Sequence, residues 1–216
     1  MSNVIIFGAP GSGKGTQARL MHSEMGFKQI STGDLLRSEV ESGSEIGKMC
    51  DGLMAQGKFP GNEIIYGLVT KFLETNTSSK GFVFDGFPRT VEQAKFILEY
   101  LLSKGKKIDM VLKIDVEQDL LVKRIVGRFT CKDCGEIYNK HFKRTAIAGV
   151  CDKCGGASFS SRSDDTESTV KTRLNIYDQS TLPVVEFLES ENLRVVSIDG
   201  MRSESEVFDQ IKAVMA

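Results

Sequence analysis

Four short apolar runs recur along the chain, separated by longer stretches with helical spacing. They are Asn3-Val-Ile-Ile-Phe7, Gly81-Phe-Val-Phe-Asp85, Met110-Val-Leu-Lys-Ile-Asp115 and Leu193-Arg-Val-Val-Ser-Ile-Asp199. Their length and β-branched content predict buried strands. After the first run, glycine-rich sequence opens a predicted helix that continues to about Met25. Further helices are predicted over Val91 to Ser103, Glu117 to Val126, Glu167 to Leu188 and Glu204 to Met215. Thr166 and Ser203 stand just before two of these and read as N-caps, with Glu204 and Glu206 adding negative charge to the last helix's first turn. Strands alternating with helices predict βαβ units, hence an α/β fold with a parallel sheet flanked by helices.

Two regions break the alternation. Ser31 to about Leu73 reads as mainly helical with no clear strand. Arg128 to Ser163 is polar, rich in Gly, Cys, Lys and Ser, and without periodicity. Both are expected to be insertions on the α/β core. Thr75 to Gly81 reads as a polar loop, and the chain shows no internal repeat or low-complexity tract.

Composition narrows the setting. A chain of 216 residues, 40% hydrophobic, can bury a real core as one domain with small insertions. A net charge of −1 gives no general pull toward nucleic acid or an anionic membrane, so any polyanion site must be local. The opening MSNVIIFG lacks the basic region, long apolar run and cleavage site of a secretory signal, and Val4 to Phe7 is too short to span a bilayer. The expectation is a cytoplasmic protein with no membrane partner.

Gly8-Ala-Pro-Gly-Ser-Gly-Lys-Gly-Thr16 lies between the first strand and the first helix, and matches the Gly-x4-Gly-Lys part of a P-loop. Its glycines let backbone N–H groups curl around a phosphate. The helix N-terminus adds positive potential, and Lys14 supplies a mobile charge. Gly15 stands where Ser or Thr usually contributes a magnesium-binding hydroxyl, with Thr16 next. Asp85 ends the second apolar run, at the sheet edge where ligands bind, and is a candidate for holding magnesium or its waters. A GTPase switch would also need an Asp-x-x-Gly after a strand and an Asn-Lys-x-Asp base reader. Asn139-Lys140 is followed by His141-Phe142, and Asp152-Lys-Cys-Gly155 lies inside a cysteine pair, so neither serves.

Of five cysteines, four form two Cys-x2-Cys pairs, Cys131/Cys134 and Cys151/Cys154, separated by 16 residues. An odd count without an export signal argues against a disulfide framework, whereas this spacing fits a structural tetrahedral zinc site. Four thiolates leave no open position for a catalytic water; iron is the rival metal. Cys50 has no partner in the sequence and reads as a small helix residue without a role.

Several motifs together closely resemble the adenylate kinase family, in order and spacing, from Met1 to about residue 200. Besides the P-loop they are Ile30-Ser-Thr-Gly-Asp34 with Arg37, and Asp85-Gly-Phe-Pro-Arg-Thr90 with Gln93. Arg124-Ile-Val-Gly-Arg128 opens a lid, and Arg162-Ser-Asp-Asp165 closes it, followed by Thr169-Val-Lys-Thr-Arg173-Leu. The resemblance implies reversible, magnesium-dependent phosphoryl transfer, ATP + AMP to two ADP, serving adenine nucleotide homeostasis and salvage. It implies a core of residues 1–30, 61–126 and 165–216, an AMP-binding insertion over 31–60 and a zinc-binding lid over 127–164. Gly11, Ser12, Gly13, Lys14, Gly15 and Thr16 would wrap the ATP phosphates. Thr32, Arg37, Gly86, Phe87, Pro88, Arg89 and Gln93 would bind AMP, with Lys58, Phe59 and Pro60 along its adenine. Arg89, Arg124, Arg128, Arg162 and Arg173 would converge on the transferring group, Arg162 and Arg173 also reaching AMP. Ile137 and Tyr138 of the lid and Arg202 would flank ATP. Arg202 lies outside the motifs, and its sequence surroundings alone give it only a surface role. The implied partners are the small molecules ATP, AMP and ADP, bound by a monomer, with Mg2+ entering with ATP and a structural Zn2+ in the lid.

The chemistry agrees with that set. A phosphate acceptor oxygen is already ionised near neutral pH, its second pKa being about 6. Catalysis then rests on alignment and charge neutralisation, for which arginine's planar fork is suited. Neither His22 nor His141 falls in a motif, consistent with a mechanism without a general base. Two departures stand out: Asn139, where the family often has His after the lid tyrosine, and Phe59-Pro60, where an aliphatic pair is usual. Kinases of UMP, CMP or GMP are the near alternative; the long cysteine lid and Gln93 favour AMP, while the donor is open between ATP and GTP. A zinc-ribbon nucleic-acid binder is the distant one. The lid has basic Lys132, Lys140, Lys143, Arg144 and Lys153, but sparse aromatics and a near-neutral chain around it. No nucleic-acid partner is expected.

Overall fold

The computed structural model describes every residue except Met1, Thr77 and Ser79. The predicted polar loop Thr75 to Gly81 therefore lies in part outside the described residues.

Five parallel strands form the central sheet: β1 (Val4–Gly8), β2 (Lys28–Ser31), β3 (Phe82–Asp85), β4 (Met110–Asp115) and β8 (Val195–Asp199), in the spatial order β2-β3-β1-β4-β8. The four expected strands are present, within two residues of their predicted ends. The region from Ser31 to Leu73 is helical as expected, but a fifth strand, not expected from the sequence, ends at its start. β2 pairs with β3 through Lys28 opposite Phe82 and Ser31 opposite Asp85. It escapes sequence reading because it is an edge strand of four residues whose one fully buried side chain is Ile30.

Strand alternation divides the core between two faces. Ile5 and Phe7 of β1 join Phe84 and Val111 in one cluster with helices α4 (Asn62–Thr75), α5 (Val91–Ser103) and α8 (Leu182–Ser190). Val4 and Ile6 point the other way, joining Leu112 and Ile114 against α1 (Lys14–Met25) and α9 (Glu204–Met215). Because both faces are covered, these strands read as continuous apolar runs rather than alternating ones. Ser203 accepts from Glu206 N while the Glu206 carboxylate accepts from Ser203 N, a capping box that fixes the start of α9.

Past β2 the chain forms α2 (Thr32–Ser42) and α3 (Glu45–Ala55) before reaching α4. After α6 (Gln118–Val126) it folds into a small antiparallel sheet of β5 (Arg128–Cys131), β6 (Ile137–Asn139) and β7 (Phe159–Ser160), in the order β6-β5-β7. Strands of two to four residues, broken by turns, leave no periodicity for a sequence to show.

The helix expected over Glu167 to Leu188 is interrupted. α7 (Glu167–Ile176) passes into a π-helical turn at Tyr177–Thr181 before α8 resumes the α form. Leu182 N donates to Tyr177 O, five residues back. Pro183, at the start of α8, has no amide to continue the α ladder. Thr166 does cap α7, its hydroxyl accepting from Thr169 N.

Candidate active site

The C-terminal ends of β2 and β3 and the glycine loop after β1 open into a cleft of about 910 Å3, walled on one side by the 31–60 segment and on the other by the lid. At its floor, β1 runs through the glycine loop into α1. Gly11 and Gly13 have φ of 87° and 98°, which only glycine adopts without strain, and these turns aim the loop's amides into the cleft. Ser12 N donates to Ala9 O at 3.0 Å, and Lys14 Nζ to the same oxygen at 3.3 Å. Ser12 Oγ is buried with no hydrogen-bond partner among the described residues. Burial pushes the Lys14 ammonium down to about 7, against the pull of Asp85. A neighbouring anion would restore its charge.

Asp85 ends β3 beside this loop and is 7% exposed. Burial raises its carboxyl above the usual range, while Lys14 acts the other way, and Gln29 Nε2 donates to Oδ2 at 3.2 Å. A Cβ on Gly15 would meet Asp85 Oδ2 at 3.2 Å, so glycine after Lys14 gives the carboxylate room. Asp85 is a hard oxygen donor at the phosphate-facing edge, which fits Mg2+ or its waters.

Gly86, with φ of 72°, lets the chain turn so that Arg89 Nε donates to Gly86 O at 2.7 Å. Arg89 N donates to Gln93 Oε1 at 2.8 Å, and Thr181 Oγ1 donates to Arg89 O at 3.1 Å. The Arg89 guanidinium lies 3.7 Å over the Phe59 ring. Burial, with Arg173 next in effect, pushes Arg89 down to about 9. Burial likewise lowers Arg162 to about 10, with Arg128 and Arg37 adding to it, and lowers Arg124 and Arg173. Crowding these cations is costly without counter-charge. Asp165 supplies part of it, accepting from Arg128 Nε at 2.8 Å and Nη2 at 2.6 Å, with Arg173 Nη1 3.7 Å away. Arg173 also bonds Asp164 at 3.3 Å. Asp34 pairs with Arg37 and lies 3.5 Å from Arg162, so it joins the two walls.

The structure brings Gly11 to Thr16, Arg37, Lys58, Phe59, Asp85, Gly86, Arg89, Arg124, Arg128, Ile137, Tyr138, Arg162, Arg173 and Arg202 to this one cleft. The Arg202 guanidinium pairs with Asp199 at 3.0 Å, both groups exposed. Thr32, Pro60, Phe87, Pro88 and Gln93 do not line the cleft, although Pro88 borders a smaller cavity with Lys14, Phe59 and Arg89. Thr32 Oγ1 donates to Gly86 O at 2.9 Å, and Gln93 Oε1 accepts from Arg89 N, so both brace neighbours that do reach the cleft. Phe87 packs in the core, 1% exposed, and precedes Pro88 by a cis peptide. Sequence reasoning gave no role to Asp34, Asp164 or Asp165, although all three sit inside the quoted motifs. It also missed the lid's attachment, where Lys143 bonds Glu136 at 2.6 Å and Glu204 at 2.9 Å. Asn139 is 8% exposed and ties the lid's base. Its Nδ2 donates to Arg124 O at 2.7 Å, and its Oδ1 accepts from His141 N at 2.8 Å.

Within the lid the sulfurs of Cys131, Cys134, Cys151 and Cys154 all lie within 4.8 Å of one another, with Cys131–Cys154 and Cys134–Cys151 at 3.6 Å. Tetrahedral Zn–S bonds of about 2.3 Å require S–S spacings of about 3.8 Å, so the four donors fit zinc.

Fold and cleft define a P-loop α/β protein whose ligand site is floored by backbone amides and walled by guanidinium groups. Comparison with known proteins carries this further. The adenylate kinase family model matches residues 6–193. The adenylate kinase of Rhizorhabdus wittichii is 43% identical over 213 residues, covering 99% of both chains. That of Novosphingobium aromaticivorans is 41% identical over 214 residues, again 99% of both. That of Methanosarcina barkeri is 41% identical over 213 residues, 99% of this chain and 98% of its own. The chain belongs to the adenylate kinase family.

Proposed function

We propose that the chain catalyses reversible phosphoryl transfer from ATP to AMP, giving two ADP, in adenine nucleotide homeostasis and salvage. The observation that carries this reading is the convergence of Lys14, Arg89, Arg124, Arg128, Arg162 and Arg173 on one cleft, with no histidine among the residues lining it. The glycine loop and Lys14 hold the donor's phosphates. Arg37 and Arg89 grip the acceptor phosphate, and Arg124, Arg128, Arg162 and Arg173 neutralise charge on the group in flight. Such a transfer needs positioning and electrostatics more than proton chemistry. Magnesium entering with ATP supplies further charge neutralisation at the phosphate oxygens, and Asp85 would hold it or its waters. The 31–60 segment and the lid exclude water, so that AMP rather than water accepts the phosphoryl group.

The four lid cysteines would hold structural zinc, adding to the small aromatic cluster that is all the core this three-stranded sheet has. No described helix is long and apolar enough to cross a membrane. The proposed setting is a cytoplasmic monomer acting on free nucleotides. Purified protein given only ADP and Mg2+ should form ATP and AMP in equal amounts. A panel of AMP, CMP, UMP and GMP against ATP and GTP should show AMP as the preferred acceptor. No conversion of ADP, or faster turnover with a pyrimidine acceptor, would overturn the reading.

A further inference from the structure

The resemblance implied that Tyr138 flanks ATP; the residue borders the cleft, yet its ring packs inside the lid. It is 1% exposed, stacked on Phe129 at 5.6 Å and edge-on to Phe159 at 5.9 Å. Its hydroxyl meets two groups. Asp152 N lies 2.8 Å away and can only donate, so the phenol oxygen accepts there. The phenolic hydrogen then has one direction left, toward Cys151 Sγ at 3.3 Å. Almost no water reaches this site to compete for it.

We propose that Tyr138 serves the lid metal rather than the nucleotide: it donates a hydrogen bond to the Cys151 thiolate and so retains the zinc. This rests on the zinc reading of the four cysteines. A donor to a metal-bound thiolate spreads the sulfur's charge and fixes its orientation; loss of such an outer partner typically weakens metal binding 10–100-fold. Strand parity supplies the connection to catalysis. In β6, Tyr138 faces the metal while Ile137 and Asn139 face the opposite side, lining the cleft and the lid's base. One short strand is therefore the shared wall of both sites, and the metal keeps that wall in register.

The test uses the zinc-loaded full-length protein and Tyr138→Phe, which keeps the ring and removes only the hydroxyl. Zinc affinity is measured by competition with a chromogenic chelator, and cobalt-substituted protein reports the thiolate-to-metal absorption band. Tyr138→Phe should weaken zinc binding about 10–100-fold and shift the cobalt band. A second variant, Phe129→Leu, loosens the same ring stack but keeps the hydroxyl, and should bind zinc more tightly than Tyr138→Phe. Unchanged zinc affinity in Tyr138→Phe, or equal losses in both variants, would overturn the proposal. A wild-type protein that takes up no zinc would instead remove the underlying zinc reading.

Discussion

Arg89→Ala separates function from stability. In the proposed reading the guanidinium makes two charge-assisted bonds to the acceptor phosphate, each worth about 1.5–3 kcal/mol. Losing about 3–6 kcal/mol lowers kcat/KM for AMP by roughly 10²–10⁴-fold at 1.36 kcal/mol per decade. The folded protein should hardly notice. Removal of the side chain loses the 2.7 Å bond from Nε to Gly86 O, about 1 kcal/mol. It also loses the stack over Phe59, about 0.5–1 kcal/mol. Against this, it relieves a buried cation whose pKa has been driven down to about 9 by burial and by Arg173. These effects offset to within about 1 kcal/mol, or roughly 2–4 °C in Tm for a chain of this size. Steady-state turnover with varied AMP at saturating Mg-ATP, beside a thermal melt, measures both. A kcat/KM within threefold of wild type would refute the role of Arg89. A fall in Tm beyond about 10 °C would refute the claim that the ligand-free site is strained by its own charge.

Lys14→Met should melt higher than wild type near pH 7 without ligand, while turnover falls at least about a hundredfold. The lysine's pKa is about 7 in the folded protein against 10.5 for the free side chain. Above 10.5 neither state is charged, and below 7 both are. Between these values the unfolded chain holds the proton, so folded stability rises with pH by at most about 1.4 kcal/mol per unit. The variant should lack that slope between pH 7 and 10; parallel melting profiles would refute the assignment. Asp165→Ala leaves Arg128 and Arg173 without their shared carboxylate. It should cost about 3 kcal/mol and lower Tm by roughly 6–12 °C, with part recovered by saturating ADP. A melt indistinguishable from wild type, with or without ADP, would argue against this counter-charge role.

The central sheet was legible wherever burial on both faces made a strand uniformly apolar, as in Met110–Asp115. The helix Glu204–Met215 was legible because a cap and an apolar stripe coincide. β2 was not, since an edge strand needs little apolar surface. The lid's sheet was not, since its order comes from the cysteine cluster and three aromatic rings rather than from a repeating pattern. Residue roles followed the same division. The glycine loop and the motif arginines carry their chemistry in residue type and spacing, and the structure gathers them in one cleft. The direction of Tyr138 could not be read, because on a three-residue strand the choice of face depends on partners far along the chain. Asn139 was visible only as a departure; that it ties α6 to the lid depends on a contact with the Arg124 carbonyl.

The π-helical turn at Tyr177–Thr181 sets the angular phase between the two halves of a long helix. Each residue advances an α-helix by about 100°, so the wide turn works as a one-residue offset. Upstream of it Arg173 is directed at the cleft; downstream Val184, Val185 and Leu188 lock into the core; Thr181, the last residue of the turn, reaches the Arg89 carbonyl. Deleting a single residue here would give a more regular helix and a worse enzyme. With α8 anchored in the core, α7 would have to rotate by about that angle, carrying its guanidinium out of line with the others. Irregular backbone at this point is what allows one continuous rod to satisfy an oily interior and an anionic ligand at the same time.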